Sequence, residues 1–140
     1  MSRRCAGMKC RGLGAVLVLL LLPPVPATAG NFRSETREVA VELVSEPRQP
    51  IQGRETVYML LLRDGAGQPL AGAKVTLMGR MADGMTVLVP LRATSEFGIY
   101  SGRALFTMAG EWQLTLRIAL TGKPLELSFT EQVGRSEHLR

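Results

Sequence analysis

Methionine is the residue type in this sequence most suited to unusual chemistry. Of seven methionines, three fall within eight residues, as Met78-Gly79-Arg80-Met81-Ala82-Asp83-Gly84-Met85. Thioethers are soft, uncharged donors that suit Cu(I) better than zinc or calcium. A glycine-rich loop can bend three of them toward one ion, whereas a straight strand would alternate them between faces. Met78, Met81 and Met85 are therefore the candidate metal ligands, and copper as Cu(I) is the candidate cofactor. The same residues have a plainer use, because methionine fills irregular gaps where a loop caps a core. Met59 sits in a long apolar segment and reads as core. Met108 reads either as a core plug or as a fourth neighbour of the group.

Other chemistry is poorly supplied. His138 is the single histidine and stands third from the end of the chain, in a polar tail. A general base has to be held in place, and a terminal tail seldom holds anything. No Ser/His/acid set is possible on the remaining chain, and no catalytic residue is assigned. Asp64 and Asp83 stand next to glycine, where aspartate forms turns. The other carboxylates read mostly as outward-facing strand residues. The expectation is a protein that is not an enzyme.

The elements that must position the methionines begin after an export signal. Arg3, Arg4, Lys9 and Arg11 precede the apolar run Leu13 to Leu22. Pro23, Pro24 and Pro26 follow, and then Ala27-Thr28-Ala29, a small-x-small cleavage site. Ten helical residues rise only about 15 Å, half of a hydrocarbon core, so the run fits a signal better than a span. Residues 1–29 are read as a signal peptide cleaved near Ala29, which makes the product periplasmic or secreted. Cys5 and Cys10 would leave with it, and so would four of the 17 basic residues and none of the 12 acidic ones. The mature net charge falls from +5 to +1. That removes disulfide and thiolate sites, and it removes the surplus of cations that nucleic-acid binding needs. The mature domain is expected to be soluble, without nucleic acid and with a protein partner.

Residues 30–37 are polar and read as a flexible lead-in. From 38 to 133 the pattern is short apolar segments broken by turn residues. Glu38 to Val44 reads as a strand. Glu55 to Arg63 is apolar on both faces and reads as a central strand covered on two sides. Ala73 to Leu77 is a short strand, and Gly79 to Gly84 a loop. Thr86 to Leu91 holds Pro90, which marks an edge strand or an end. Ile99 to Thr107 is a strand in which Gly102 marks a bulge. Trp112, Leu114, Leu116, Ile118 and Leu120 share one face, with Trp112 as core anchor. Leu125, Leu127 and Phe129 share the inner face of the last strand, after a turn at 121–124. Tyr100, at a corner, is expected to tie that corner to backbone through its hydroxyl. Residues 134–140 read as a tail. About seven short strands and no helical period predict an all-β, immunoglobulin-like antiparallel β-sandwich preceded by a signal peptide.

The order of features resembles a known family. It comprises Thr56-Val57-Tyr58-Met59-Leu60, then Gln68-Pro69-Leu70-Ala71-Gly72-Ala73-Lys74-Val75, then the methionine segment. Gly98-Ile99-Tyr100-Ser101-Gly102 and Met108-Ala109-Gly110-Glu111-Trp112-Gln113-Leu114 complete it. Over roughly residues 38–130 this resembles the YtkA-like domains and the related FixH proteins. The resemblance implies an extracytoplasmic accessory role in metal handling or metalloprotein assembly, with copper as the metal. The alternative is a structural or protein-interaction module of the same fold, in which the methionines only pack. Mass measurement of the exported product is expected to give Gly30 as its first residue, and an intact, membrane-bound N-terminus would contradict the cleavable signal.

Overall fold

The computed structural model describes residues 31–36, 38–121 and 124–137. The signal segment with its cysteines, the middle of the 121–124 turn and His138 lie outside the described residues. Eight antiparallel strands follow one another: β1 (Asn31–Glu35), β2 (Val39–Glu46), β3 (Glu55–Asp64), β4 (Lys74–Arg80), β5 (Thr86–Ala93), β6 (Ile99–Leu105), β7 (Gly110–Ala119) and β8 (Pro124–Val133). They hydrogen-bond in the order β1-β2-β3-β6-β5-β4-β7-β8.

β5 turns this single sheet into two facing layers. Its residues from Thr86 to Leu91 pair with β4, and then Arg92 and Ala93 pair with Ser101 and Tyr100 of β6. The strand continues past Pro90, where the sequence placed an edge or an end. Proline is tolerated there because this stretch borders only β4, so no second ladder asks for its missing N–H. β6 can come this close because position 102 is glycine. A Cβ there would lie 2.7 Å from the Pro90 carbonyl oxygen and 3.0 Å from Val89 Cγ1. Gly102 thus permits a close approach of two backbones and pairs in register with Tyr58 on β3.

Between the layers lies one core. β3 contributes Tyr58, Leu60 and Leu62, and β7 contributes Trp112, Leu114, Leu116 and Ile118. Alternation on β7 matches the sequence pattern. Trp112 is fully buried, and its Nε1 donates to the Met108 carbonyl (3.1 Å). Phe106 stacks edge-on between Tyr58 (6.5 Å) and Trp112 (5.2 Å), so aromatic rings join the two layers. Such pairs add roughly 0.5–1.5 kcal/mol beyond their burial. On the open side, where β1 and β8 are not paired, Phe32 and Phe129 stack at 4.7 Å.

Three expectations need correction. The lead-in over 30–37 contains a strand. Phe32 has an apolar partner in Phe129, and β1 pairs with β2 in full register from Asn31↔Val44 to Glu35↔Ala40. β3 is not covered on both sides. Thr56, Tyr58, Leu60 and Leu62 are buried, while the other face looks outward and leaves Met59 44% exposed. β4 runs through Gly79 and Arg80, so the methionine segment begins within a strand. Tyr100 behaves as expected: its hydroxyl donates to the Leu70 carbonyl (2.9 Å) and accepts from the Ala73 amide (3.1 Å).

Replacing Gly102 by alanine is expected to cost the fold about 1–3 kcal/mol, because the added methyl meets backbone that cannot swing away. Urea unfolding would read this as a lower midpoint with an unchanged slope.

Candidate functional site

The strands bring four segments to one end of the sandwich. These are residues 47–54 between β2 and β3, the 81–85 turn between β4 and β5, residues 106–109 between β6 and β7, and the chain after β8. The 81–85 turn is local and tight. The Met81 amide donates to the Met85 carbonyl (2.9 Å), the Gly84 amide donates to the Met81 carbonyl (3.1 Å), and Asp83 Oδ1 accepts from the Met85 amide (3.0 Å). Gly84 takes φ +95°, a conformation that glycine adopts without a steric penalty.

This geometry divides the three candidate methionines. Met81 and Met85 stand opposite one another in the backbone at the mouth of the hairpin. Met81 packs against the core, and its Cε lies 3.1 Å from where a Cβ on Gly110 would be. Met108 is two residues before Gly110 and half-exposed. Met78 lies elsewhere. It pairs with Leu88 on the outer face of the β4–β5 ladder, in a shallow groove with Arg80, Thr86 and Thr115. Strand alternation separates it, because Met78 is an outward position of β4 whereas Leu77 and Gly79 point inward. Of the three candidates the hairpin thus brings Met81 and Met85 together and leaves Met78 apart, with Met108 on the turn that precedes β7. Among the described residues no three His, Cys, Asp or Glu side chains converge as a metal-binding group. A thioether rim of this kind fits a soft monovalent ion and not a hard one.

A second polar feature lies inside the same end. Glu131 is only 6% exposed, on the inner face of β8 opposite Trp112 of β7. It forms no ion pair among the described residues. Burial pushes its carboxyl up to about 7. Tyr58 and Thr56 of β3 are fully buried, and neither hydroxyl has a hydrogen-bond partner among the described residues. Burial, with the charge of Glu131 second, pushes the Tyr58 phenol well above its usual range. The sequence reading treated the carboxylates as mostly outward and passed over Glu131. The signal was present: Leu125, Leu127 and Phe129 set the inward parity, and residue 131 is the next position in that row.

Glu131 makes stability depend on pH with a definite sign. Its carboxyl ionises near 4.5 when unfolded and near 7 when folded, so the folded state holds the extra proton between those values. Stability is fully present below pH 4.5, declines as pH rises toward 7 and levels off above it. The carboxyl keeps some exposure to solvent, which screens its charge, so the loss is on the order of 1–2 kcal/mol. Urea unfolding at pH 5 and pH 8 should differ in this direction, and Glu131→Gln should reduce the difference.

The sequence profile of the YtkA-like family matches residues 33–117. No curated protein matches the chain by sequence. Among solved structures, the fold is similar to a DUF4426 family protein from Pseudomonas aeruginosa PAO1. That match has TM-score 0.61 and 14% identity, and it covers 77% of this chain and 98% of that one. It is also similar to a copper-bound variant of FetP from uropathogenic Escherichia coli strain F11, with TM-score 0.55, 13% identity, and 74% and 94% of the two chains covered. A third similar structure is the Lin-41 filamin domain, with TM-score 0.50, 24% identity, and 79% and 98% covered.

Proposed function

The chain belongs to the YtkA-like family, and on that premise we propose an exported, non-enzymatic accessory protein that takes Cu(I) on thioethers at one end of its sandwich. One observation carries the reading. The hairpin sets Met81 and Met85 opposite one another, joined by the 2.9 Å bond from the Met81 amide to the Met85 carbonyl, with Met81 Cε beside Gly110. Methionine sulfur is neutral and polarisable, so the thioethers favour a soft ion over zinc or calcium, and Asp83, the carboxylate of the same turn, has its Oδ1 engaged by the Met85 amide (3.0 Å). The fold shared with copper-bound FetP supports the reading at the level of architecture. Met78, exposed on the outer face, would serve as an outlying donor on the route to the rim. The N-terminal sequence pattern supports a periplasmic or secreted location, and a copper-accessory role calls for a protein partner to receive the ion.

A specific observation favours the interaction module as second reading. Leu88, 66% exposed, pairs with Met78, 44% exposed, on the outer face of the β4–β5 ladder, so two large apolar side chains stand together in solvent. In that case the methionines pack and no ion is involved.

Cu(I) titration against a chromogenic chelator separates the two. The wild type is expected to compete, and Met81→Leu with Met85→Leu to lose the competition about tenfold or more, about 1.4 kcal/mol in binding. Met78→Leu alone should bind nearly as the wild type does. Leucine nearly conserves volume, so each change should cost the fold less than ~1.5 kcal/mol. A wild type that cannot compete with the chelator overturns the copper reading and leaves the interaction module.

A further inference from the structure

β3 and β7 hold the same place in the two layers. Each is flanked on both sides, β3 by β2 and β6 and β7 by β4 and β8. Both bury every second side chain in the shared core. Their outward rows differ. β7 presents Glu111, Gln113, Thr115 and Arg117, the polar row expected of a solvated sheet face. β3 presents Glu55, Val57, Met59, Leu61 and Arg63. On the same face Val44 of β2 is in register with Met59, and Ile99 of β6 with Leu61. The apolar row thus widens into a patch across three strands, with Met59 44% exposed near its centre. Water alone gives no reason for a contiguous patch of this kind, whereas a second layer packed on it does.

We propose that this face is the contact surface of a homodimer, in which a second copy packs sheet on sheet over Met59 and pairs its Arg63 with Glu55. The charges at the two ends of the row select that occupant. Read along its outer face, β3 runs acid, three apolar residues, base, with Met59 at the midpoint. Such a row is complementary to its own reverse. A twofold axis through Met59 lays the second row antiparallel over the first. Glu55 then meets Arg63 of the second copy at both ends, Val57 meets Leu61, and Met59 meets its own equivalent. Arg63 is exposed and forms no ion pair among the described residues. Glu55 meets Arg103 at 3.3 Å, in a pair whose side chains are 56% and 74% exposed, so its carboxylate is open to a second cation. On β2 the acids Glu42 and Glu46 would face each other between copies. Arg33, in register with Glu42 on β1, supplies the cation beside them. Packed sheets lie about 10 Å apart, which leaves room for one interdigitating layer of side chains. Three strands over the length from Glu55 to Arg63 cover roughly 400 Å² of sheet plane per copy. That size belongs to weak, reversible pairs, so the dimer forms with rising concentration. It needs no metal, and it uses the layer away from Met78 and Leu88.

Sedimentation equilibrium of the exported protein over a dilution series tests this, with chelator present so that metal plays no part. The wild type is expected to move from the mass of one chain toward twice that mass as concentration rises. Met59→Glu, at the centre of the patch, should weaken association about tenfold or more. Glu55→Arg alone, or Arg63→Glu alone, sets like charges against each other at both ends and should weaken it about tenfold. The two changes together restore opposite charges and should recover the wild-type association. Met78→Glu, the same kind of change on the outer face of the other layer, should leave it unaltered. The charge exchange decides the matter even if Met59→Glu fails to fold, because Glu55 and Arg63 are both exposed. A wild type that keeps the mass of one chain at every concentration overturns the homodimer and leaves the face to a different partner. It is equally overturned if a folded Met59→Glu protein associates as the wild type does, or if the double exchange does not recover what the single changes lose.

Discussion

The backbone contact between Gly102 and Pro90 is the constraint on which the rest of this molecule depends. Eight strands in one continuous ladder have no interior until the ladder folds over, and β5 is where it folds. A strand can serve two neighbours in succession only if it crosses close to both. The crossing leaves 2.7 Å between the Pro90 carbonyl oxygen and any Cβ at position 102, less than a side chain needs. Glycine removes the obstacle on β6, and proline removes an amide that β5 could not have satisfied on its open side. From that crossing follow the two facing layers, the enclosed aromatic column and the gathering of loops at one end. Tyr100 reinforces it from the other end by tying the 70–73 segment to β6.

An interior made this way has a cost at its end. The layers are held apart by the rings of Tyr58, Phe106 and Trp112, and the space beside them must be filled by whatever β8 supplies. β8 supplies a carboxyl. An apolar residue at 131 would raise stability at neutral pH, since an unpaired buried acid is a poor core residue. The hydroxyls of Thr56 and Tyr58 point the same way, two more polar groups in a place that packing alone would make apolar. At the opposite end the turn after β3 is tied by hydrogen bonds that Asp64 Oδ1 accepts from the Ala66 and Gln68 amides (both 2.9 Å).

Much of this was legible in the residues. Strict alternation from Trp112 to Ile118 fixed the inner face of β7, and the tyrosine corner was readable from Tyr100 beside Phe97-Gly98. The family pattern was readable too. What failed did so for tertiary reasons. β1 could not be seen because five mostly polar residues form a strand only when β2 offers a ladder and Phe129 a partner for Phe32. Met59 looked like core because β3 is apolar on both faces, and sequence cannot tell a second covering layer from an exposed greasy face. The methionine segment misled most. Its glycines looked like loop throughout, yet Gly79 is a strand residue left small because Val87 and Leu114 would lie 2.6 Å and 2.8 Å from a Cβ.

That last point carries a chemical consequence. If residues 78–85 were all loop, three sulfurs could turn to one ion. With β4 extended to Arg80, alternation commits Met78 to the outer face, and only the residues beyond the ladder remain free to choose. The turn then settles the matter by bringing Met81 and Met85 opposite one another. Glu131, at the same end, lies inside, opposite Trp112 in the β7–β8 register. Asp83, the carboxylate within the turn, is exposed, and its Oδ1 is engaged by the Met85 amide (3.0 Å). Thioethers prefer soft ions, so any metal chemistry at this end turns on the two sulfurs of the turn and not on the outer face, where Met78 stands apart.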